Sequence, residues 1–335
     1  MIISICLNFP FRTVCAEYKE NANFIAVLTR LNSKQLLKKF LSLLLCLCSA
    51  TFIFAQIKKD TISLPEVVLK GAPIQKSVQK TAAAVAILTA ADINKSDGLI
   101  LTPILNTIPG VSMQQGALNT NRIMIRGIGA RAQFGTTKIK AYFDGIPLTT
   151  GEGETTIDDL NLSAIEKIEI TKGPNATSFG SGLGGVIQLF SKETSAGENF
   201  AKAATTVGSF GMLHQQYTSG FANAKSNWYS SYAKVQQDGF RANSDYNRKT
   251  FNLHGKQQLG TKGKLSFLGT FTRLKAFIPS SINENDFNNN PEKAAPTWAT
   301  AKGFESYDKV LLGIAHQHQF TNKWSLQTSI FGSFK

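Results

Sequence analysis

The sequence predicts an α+β domain followed by an incomplete antiparallel transmembrane β-barrel, with about seven strands present. Three observations lead there. An apolar leader ends near residue 55, the aromatic content jumps near residue 195, and the distal half reads as alternating strands.

The leader is built for export. Lys34, Lys38 and Lys39 precede the apolar run Phe40-Leu-Ser-Leu-Leu-Leu-Cys-Leu-Cys-Ser-Ala-Thr-Phe-Ile-Phe54, and Ala55-Gln56 follows. A basic start, an apolar middle and a small residue before the break describe a cleaved signal peptide over residues 34–55. The run falls short of the roughly 20 apolar residues that a helix needs to span a bilayer. A lipoprotein signal wants small residues where Leu45 and Leu47 stand. Residues 1–33 stay unassigned, as expected of a start codon set too far upstream.

Composition narrows the function. The formal net charge is +14, and residues 1–55 hold six basic and two acidic residues, leaving 30 and 20 beyond them. These basic residues are scattered with no run of five, which argues against nucleic-acid binding. Cys6, Cys15, Cys46 and Cys48 all precede residue 50, so the chain beyond them has no disulfide, thiolate metal site or cysteine nucleophile.

After the leader, residues 56–195 contain five aromatics and residues 196–335, an equal length, contain twenty-one. The first half suits a compact domain, and the second suits barrel strands with aromatic girdles. Trp324, Leu326, Thr328, Ile330 and Phe334 alternate with Ser325, Gln327, Ser329, Phe331 and Ser333, which puts the two sets on opposite faces. Strands are expected at about 200–209, 212–222, 227–238, 247–259, 264–276, 307–319 and 324–335. Short turns near residues 224–225, 261–263 and 321–323 alternate with longer loops at 238–246 and 278–305, which suggests an outer-membrane barrel with its short turns on the periplasmic side. A soluble β-sandwich is the alternative for these strands alone. Seven strands cannot close a barrel in lipid, so the barrel at residues 196–335 is expected to be truncated.

Residues 99–190 carry five motifs in order. Residues 99–110 form a helical stretch stopped by Pro109-Gly110; Asn121-Arg-Ile-Met-Ile-Arg-Gly127 and Lys138-Ile-Lys-Ala-Tyr-Phe-Asp-Gly-Ile-Pro147 follow. Ile165-Glu-Lys-Ile-Glu-Ile-Thr-Lys-Gly-Pro174 and Ser178-Phe-Gly-Ser-Gly-Leu-Gly-Gly-Val-Ile187 complete the set. Asp144-Gly145 with Pro147 suits a tight turn with glycine at positive φ. Gly180 to Gly185 satisfies G-x-G-x-x-G, but the β-type run Val186-Ile-Gln-Leu-Phe190 follows where a dinucleotide site needs a helix.

In this order and spacing the motifs resemble the plug domain of TonB-dependent outer-membrane transporters, siderophore receptors among them. The resemblance implies a TonB-box segment at residues 56–74, a plug at 75–195 and the barrel beyond. By that resemblance, Leu64, Pro65, Glu66, Val67, Val68 and Leu69 would engage the periplasmic domain of TonB. Pro65 and the β-branched Val67-Val68 suit a strand added to a partner's sheet edge; the alternative is that residues 66–69 are the plug's first strand. The resemblance also implies that Arg126, Gly127, Asp144, Gly145, Pro147, Glu166, Glu169, Lys172, Gly173, Pro174, Gly180 and Gly185 belong to the plug motifs and plug–barrel contact. Lys172 stands where the family usually has Arg, so a lock there lacks the bidentate fork. Phe179 stands where the family often has Tyr.

The implied function is TonB-dependent uptake across the outer membrane of a scarce solute, a ferric siderophore or similar iron chelate. Ligand would meet apical loops at residues 113–119, 131–135 and 149–155, with Gln114, Gln115, Arg131, Gln133 and Phe134 as contacts. Outer-membrane lipid is the remaining partner, and no cofactor is expected. The rival readings are a glycan or peptide importer of the same fold and a non-transporting structural barrel. An enzyme is not expected, since the plug has no His or Cys and no serine in a nucleophile elbow. His316 and His318 share a strand face with Val310, Leu312 and Ile314, which favours a lipid interface over a metal site.

Overall fold

The computed structural model describes residues 3–8, 42, 83–96, 98–117, 120–131, 135–173 and 182–335. The expected leader at 34–55 and the extended segment at 56–74 lie outside them. All elements named below belong to one compact unit, Met1–Phe9 with Val68–Lys335.

One strand, β1 (Ile3–Asn8), lies in the stretch for which the sequence offers no reading. The first region is then built on a five-stranded mixed sheet. Its strands are β2 (Ala84–Thr89), β5 (Ile139–Phe143), β6 (Ile146–Pro147), β7 (Ile165–Lys172) and β8 (Gly185–Ser191), in the spatial order β2-β7-β8-β5-β6. Only β5 and β8 run parallel. A separate hairpin joins β3 (Val111–Ala117) to β4 (Thr120–Ile125). Ile123, Ile125, Ile139, Phe143, Ile168 and Ile187 are fully buried between these layers. Each such side chain contributes roughly 1.5–3 kcal/mol by leaving water.

Two short helices accompany the sheet. In α1 (Ala90–Ile93), Thr89 and Asp92 form a capping box. The helix expected over 99–110 shortens to α2 (Thr102–Leu105), with Pro103 in its first turn and Ile104 and Leu105 buried. Pro109-Gly110 then turns the chain into β3, with Gly110 at φ 77.

The second region is a curved wall. Its strands are β9 (Asn199–Val207), β10 (Leu213–Ala222), β11 (Ser226–Gln237), β12 (Tyr246–Leu259), β13 (Gly263–Phe277), β14 (Phe304–Gln319) and β15 (Ser325–Phe334). They pair antiparallel in sequence order, and β1 lies against β9. All seven expected strands are present. They form a single sheet around the first region, so the sandwich alternative falls. Connections at 223–225, 260–262 and 320–324 gather at one end. Those at 208–212, 238–245 and 278–303 gather at the other, and the last holds α3 (Glu284–Asn289) and α4 (Pro296–Ala301), where the sequence reading has only loop.

Period-two geometry divides the wall into two faces. Outward side chains include Tyr217, Phe221, Phe251, Leu312, Ile314 and Ile330, all large, apolar and exposed. Inward ones include Arg248, Thr250, Asn252, His254 and Thr272, all polar and buried. An exposed apolar stripe across several strands is the lipid face of a barrel wall.

The two regions interlock at a glycine. A Cβ at Gly313 on β14 would overlap the side chain of Ile146, which fills that notch from the β5–β6 hairpin. Leu268 and Leu311 of the wall continue the same buried cluster. Gly313→Val is expected to destabilise the protein by about 1–3 kcal/mol, read as a lower thermal midpoint. Gly332→Ala, where a Cβ meets only ordinary contacts, serves as the matched control.

Candidate functional site

The inward polar face of the wall needs polar partners, and the first region supplies most of them at the turn over residues 156–163, with others at Leu99, Lys192 and Glu193. Ile157 and Leu160 are buried and pin the turn from both sides. Asn161 then caps the 3-10 turn Leu162–Ala164, accepting the Ser163 N–H at 3.1 Å. Asp158 and Asp159, held between these anchors, meet the wall.

Asp159 is the hub. Lys309 donates to its Oδ2 at 2.7 Å and to Thr156 Oγ1 at 2.6 Å. Tyr307 donates to Oδ1, and Thr272 donates to the Asp159 carbonyl at 2.9 Å. Arg248 donates to the Asp158 carbonyl and reaches the Leu99 carbonyl at 3.4 Å. Tyr229 donates to the Ser163 carbonyl at 2.8 Å and stacks on His254, whose Nε2 meets the Lys192 carbonyl. Four consecutive strands, β11 to β14, therefore hold the first region.

Charge divides the two carboxylates. Burial pushes both up, but for Asp159 the Lys309 charge and the bonds from Lys309 and Tyr307 win, holding it below the usual range. Among the described residues no such cation bonds the Asp158 carboxylate; Asn121 donates to it from within the plug. Burial and then the Asp159 charge outweigh Arg248 and push it up to about 7.

The expected plug motif residues mostly hold the plug itself together. Asp144 and Gly145 form a turn with φ 48 and 83, and Asp144 Oδ1 accepts the Ser191 N–H at 3.0 Å. Pro147 lies on β6 beside the Ile146 notch. Arg126 and Gly127 turn at φ 51 and 80, and the Arg126 N–H reaches the Gly110 carbonyl at 2.8 Å. Lys172 donates to the Pro109 carbonyl at 2.6 Å rather than to a wall carboxylate. Partial burial and the neighbouring Arg126 charge lower its pKa. Glu169 is buried and pairs with Lys167 at 2.5 Å on its own strand. Glu166 lies half-buried on the same strand. Gly173 bonds Gly184 at 2.9 Å, and at Gly185 a Cβ would overlap the Thr171 carbonyl. Pro174 and Gly180 lie outside the described residues, as do Leu64, Pro65, Glu66, Val67, Val68 and Leu69.

One expected loop, residues 113–119, is in its described part a strand. Residues 113–117 belong to β3, so Met113 is core and Gln114 and Gln115 are strand residues. Gln114 accepts from Arg122 across the hairpin. Residues 149–155 do form a closed loop, with Thr150 and Glu154 bonded at 2.8 Å. Arg131 is exposed, and Gln133 and Phe134 fall outside the described residues. A cleft of about 630 Å³ opens between the 238–245 loop and α4, lined by Phe240, Arg241, Glu292 and Thr300. Among the described residues no cluster of three His, Cys, Asp or Glu could hold a metal. No described helix is long and apolar enough to cross a membrane.

A polar-faced wall wrapped on an α/β insert is the architecture of a barrel wall whose lumen holds a plug. Residues 77–186 match the TonB-dependent Receptor Plug Domain family, and the fold is that of the TonB-dependent receptors. The vitamin B12 transporter BtuB of Vibrio vulnificus is 22% identical over 135 residues, covering 39% of this chain and 21% of that relative. The unliganded ferric citrate transporter FecA superposes with a TM-score of 0.60 at 16% identity, over 76% of this chain and 40% of that one. The ferric-catecholate import receptor Fiu of E. coli K12 gives 0.58 at 17% identity, over 77% and 39%. The chain thus spans less than half the length of these relatives.

Two expectations follow. Lys309→Met leaves Asp159 buried without its cation and is expected to cost about 3–5 kcal/mol, lowering the urea midpoint for plug release; adding Asp159→Asn should restore most of it. Asp158 has a folded pKa above its unfolded value, so its contribution weakens stability as pH rises from about 4 to about 7. Asp158→Asn is expected to flatten that part of the stability–pH curve and to raise the melting midpoint at pH 8.

Proposed function

We propose that this protein serves TonB-dependent uptake of a ferric siderophore or similar iron chelate across the outer membrane, following export by the signal peptide at residues 34–55. The observation that carries this reading is the plug region matched over residues 77–186, seated on a lipid-facing wall by Asp159 and Lys309. The family and the similar proteins are receptors and transporters rather than enzymes, which supports a non-catalytic role. Iron is favoured because FecA and Fiu are named for ferric chelates, while BtuB keeps cobalamin as the contrasting substrate.

In this reading the long-loop end faces outward and the cleft at Arg241 is part of the capture surface. Ligand there makes the segment at residues 64–69 available in the periplasm, and TonB pulls on it. The polar plug–wall contact suits such a pull. Its hydrogen bonds hold well at rest, yet a strained plug can exchange them one at a time for water. An apolar seal of the same area would lack that route.

Two measurements test the proposal. Carried in a closed barrel, these residues in a receptor-deficient strain should restore growth on an iron chelate as sole iron source, whereas residues 56–335 by themselves should not; growth restored by cobalamin alone would reassign the substrate. The isolated periplasmic domain of TonB should bind the wild-type protein and bind at least tenfold more weakly after Val67→Pro and Val68→Pro. Unchanged binding would remove residues 64–69 from the contact.

A further inference from the structure

The outward face of the wall carries one feature that contact with hydrocarbon does not explain. Cross-strand register places Gln215, Lys234, Lys249, Arg273 and Asp308 in a single row across β10 to β14. Lys249, Arg273 and Asp308 are exposed and Lys234 is half-buried. The next row toward the apolar stripe is Tyr217, Tyr232, Phe251, Phe271 and Val310. One row farther toward the long-loop end stands Lys275, exposed, opposite Asn247 and Ser306. The basic row thus sits on the rim of an aromatic girdle, where hydrocarbon gives way to headgroups.

Directly opposed like charges weaken a sheet, with their Cβ atoms only about 5 Å apart. Lys234 faces Lys249, and Lys249 faces Arg273. The row has one acid to offset them: Asp308, which Arg273 takes in a bidentate pair at 2.7 and 2.6 Å. Along the described strands β9 to β15 Asp308 is also the one carboxylate on the outward face, since Glu305 points inward beside the plug. Lys234 and Lys249 have no anionic partner among the described residues. The other cations are held in place by aromatic rings. Arg273 lies 5.7 Å from the Phe271 ring, and Lys275 lies 5.1 Å from both Phe277 and Phe304.

We propose that Lys234, Lys249 and Lys275, with Arg273 between them, bind the phosphate of a membrane-lipid headgroup in the leaflet at the long-loop end. A phosphate offers several acceptors to several ammonium groups at once, and charge-assisted bonds of this kind are strong at the dry edge of a bilayer. The acyl chains then lie along the aromatic row and the apolar stripe below it. A free anion has no use for that apolar floor, so the lipid is the source the surface fits. The inference rests on the wall facing lipid, and its test reads lipid binding rather than transport.

Native mass spectrometry of the purified full-length protein with bisphosphorylated lipid A as probe tests it. Retention of lipid by the wild type is expected to fall at least tenfold in Lys234→Gln/Lys249→Gln, and dephosphorylated lipid A should not be retained by either. In lipid-free detergent the same double variant is expected to melt no lower than wild type, because a like-charge contact is relieved; adding lipid A should raise only the wild-type midpoint. Equal retention by the variant, or retention of the dephosphorylated lipid, overturns the site. Displacement of lipid A by millimolar inorganic phosphate overturns the lipid assignment in favour of a simple anion site. A variant that melts lower without lipid overturns the repulsion on which the argument stands.

Discussion

The structure depends on one constraint: a strand that shows lipid an apolar face must show its other face to something else. In β12 the outward Phe251 and Leu253 alternate with the inward Thr250, Asn252 and His254. The inward set is buried and polar, so whatever covers it must offer donors and acceptors or leave them costly and unpaired. The plug meets part of that demand with main-chain carbonyls at Asp158, Asp159, Ser163 and Lys192 and with two ion pairs, Lys309–Asp159 and Lys256–Glu193, while among the described residues Thr250 Oγ1, Asn252 Oδ1 and His254 Nδ1 have no partner. Carbonyls at fixed heights make good partners because they need no side-chain ordering.

The same constraint explains why the plug's own motifs stay at home. Asp144, Arg126, Gly173 and Gly185 serve sharp turns and close strand approaches, which only local geometry can satisfy. Lys172 and Glu169 find partners within a few ångströms inside the plug, at Pro109 and Lys167. The polar contact with the wall centres instead on Asp158 and Asp159, two acids held between the buried Ile157 and Leu160, with Ser163, Lys192 and Glu193 beside them.

The sequence disclosed these layers unequally. Strand alternation over ten or more residues survived into the fold with ends shifted by only a few positions, because each wrong register would expose the whole apolar set to the lumen. In β3 the alternation of Val111 and Met113 is soon interrupted by Gln114 and Gln115, so a strand read as a loop. α3 and α4 are short and expose their side chains, which leaves no apolar periodicity to detect. The acid pair of the plug–wall contact was hidden for a different reason. Its partners Tyr307 and Lys309 lie about 150 residues away, and only the folded register brings them to Asp159. A signal was present nonetheless: two adjacent acids between residues destined for the core demand a cation.

The two faces of the wall meet at the same height. Arg248 and Lys309, which hold the plug, are chain neighbours of Lys249 and Asp308, which stand in the outward row. Thr272, bonded to Asp159, precedes Arg273, bonded to Asp308. A strand cannot shift one face without shifting the other, because successive side chains share one backbone. Whatever steadies the outward rung from the membrane therefore steadies the donors that hold the plug. The wall is the common support of its inward contact with the plug and of its outward row.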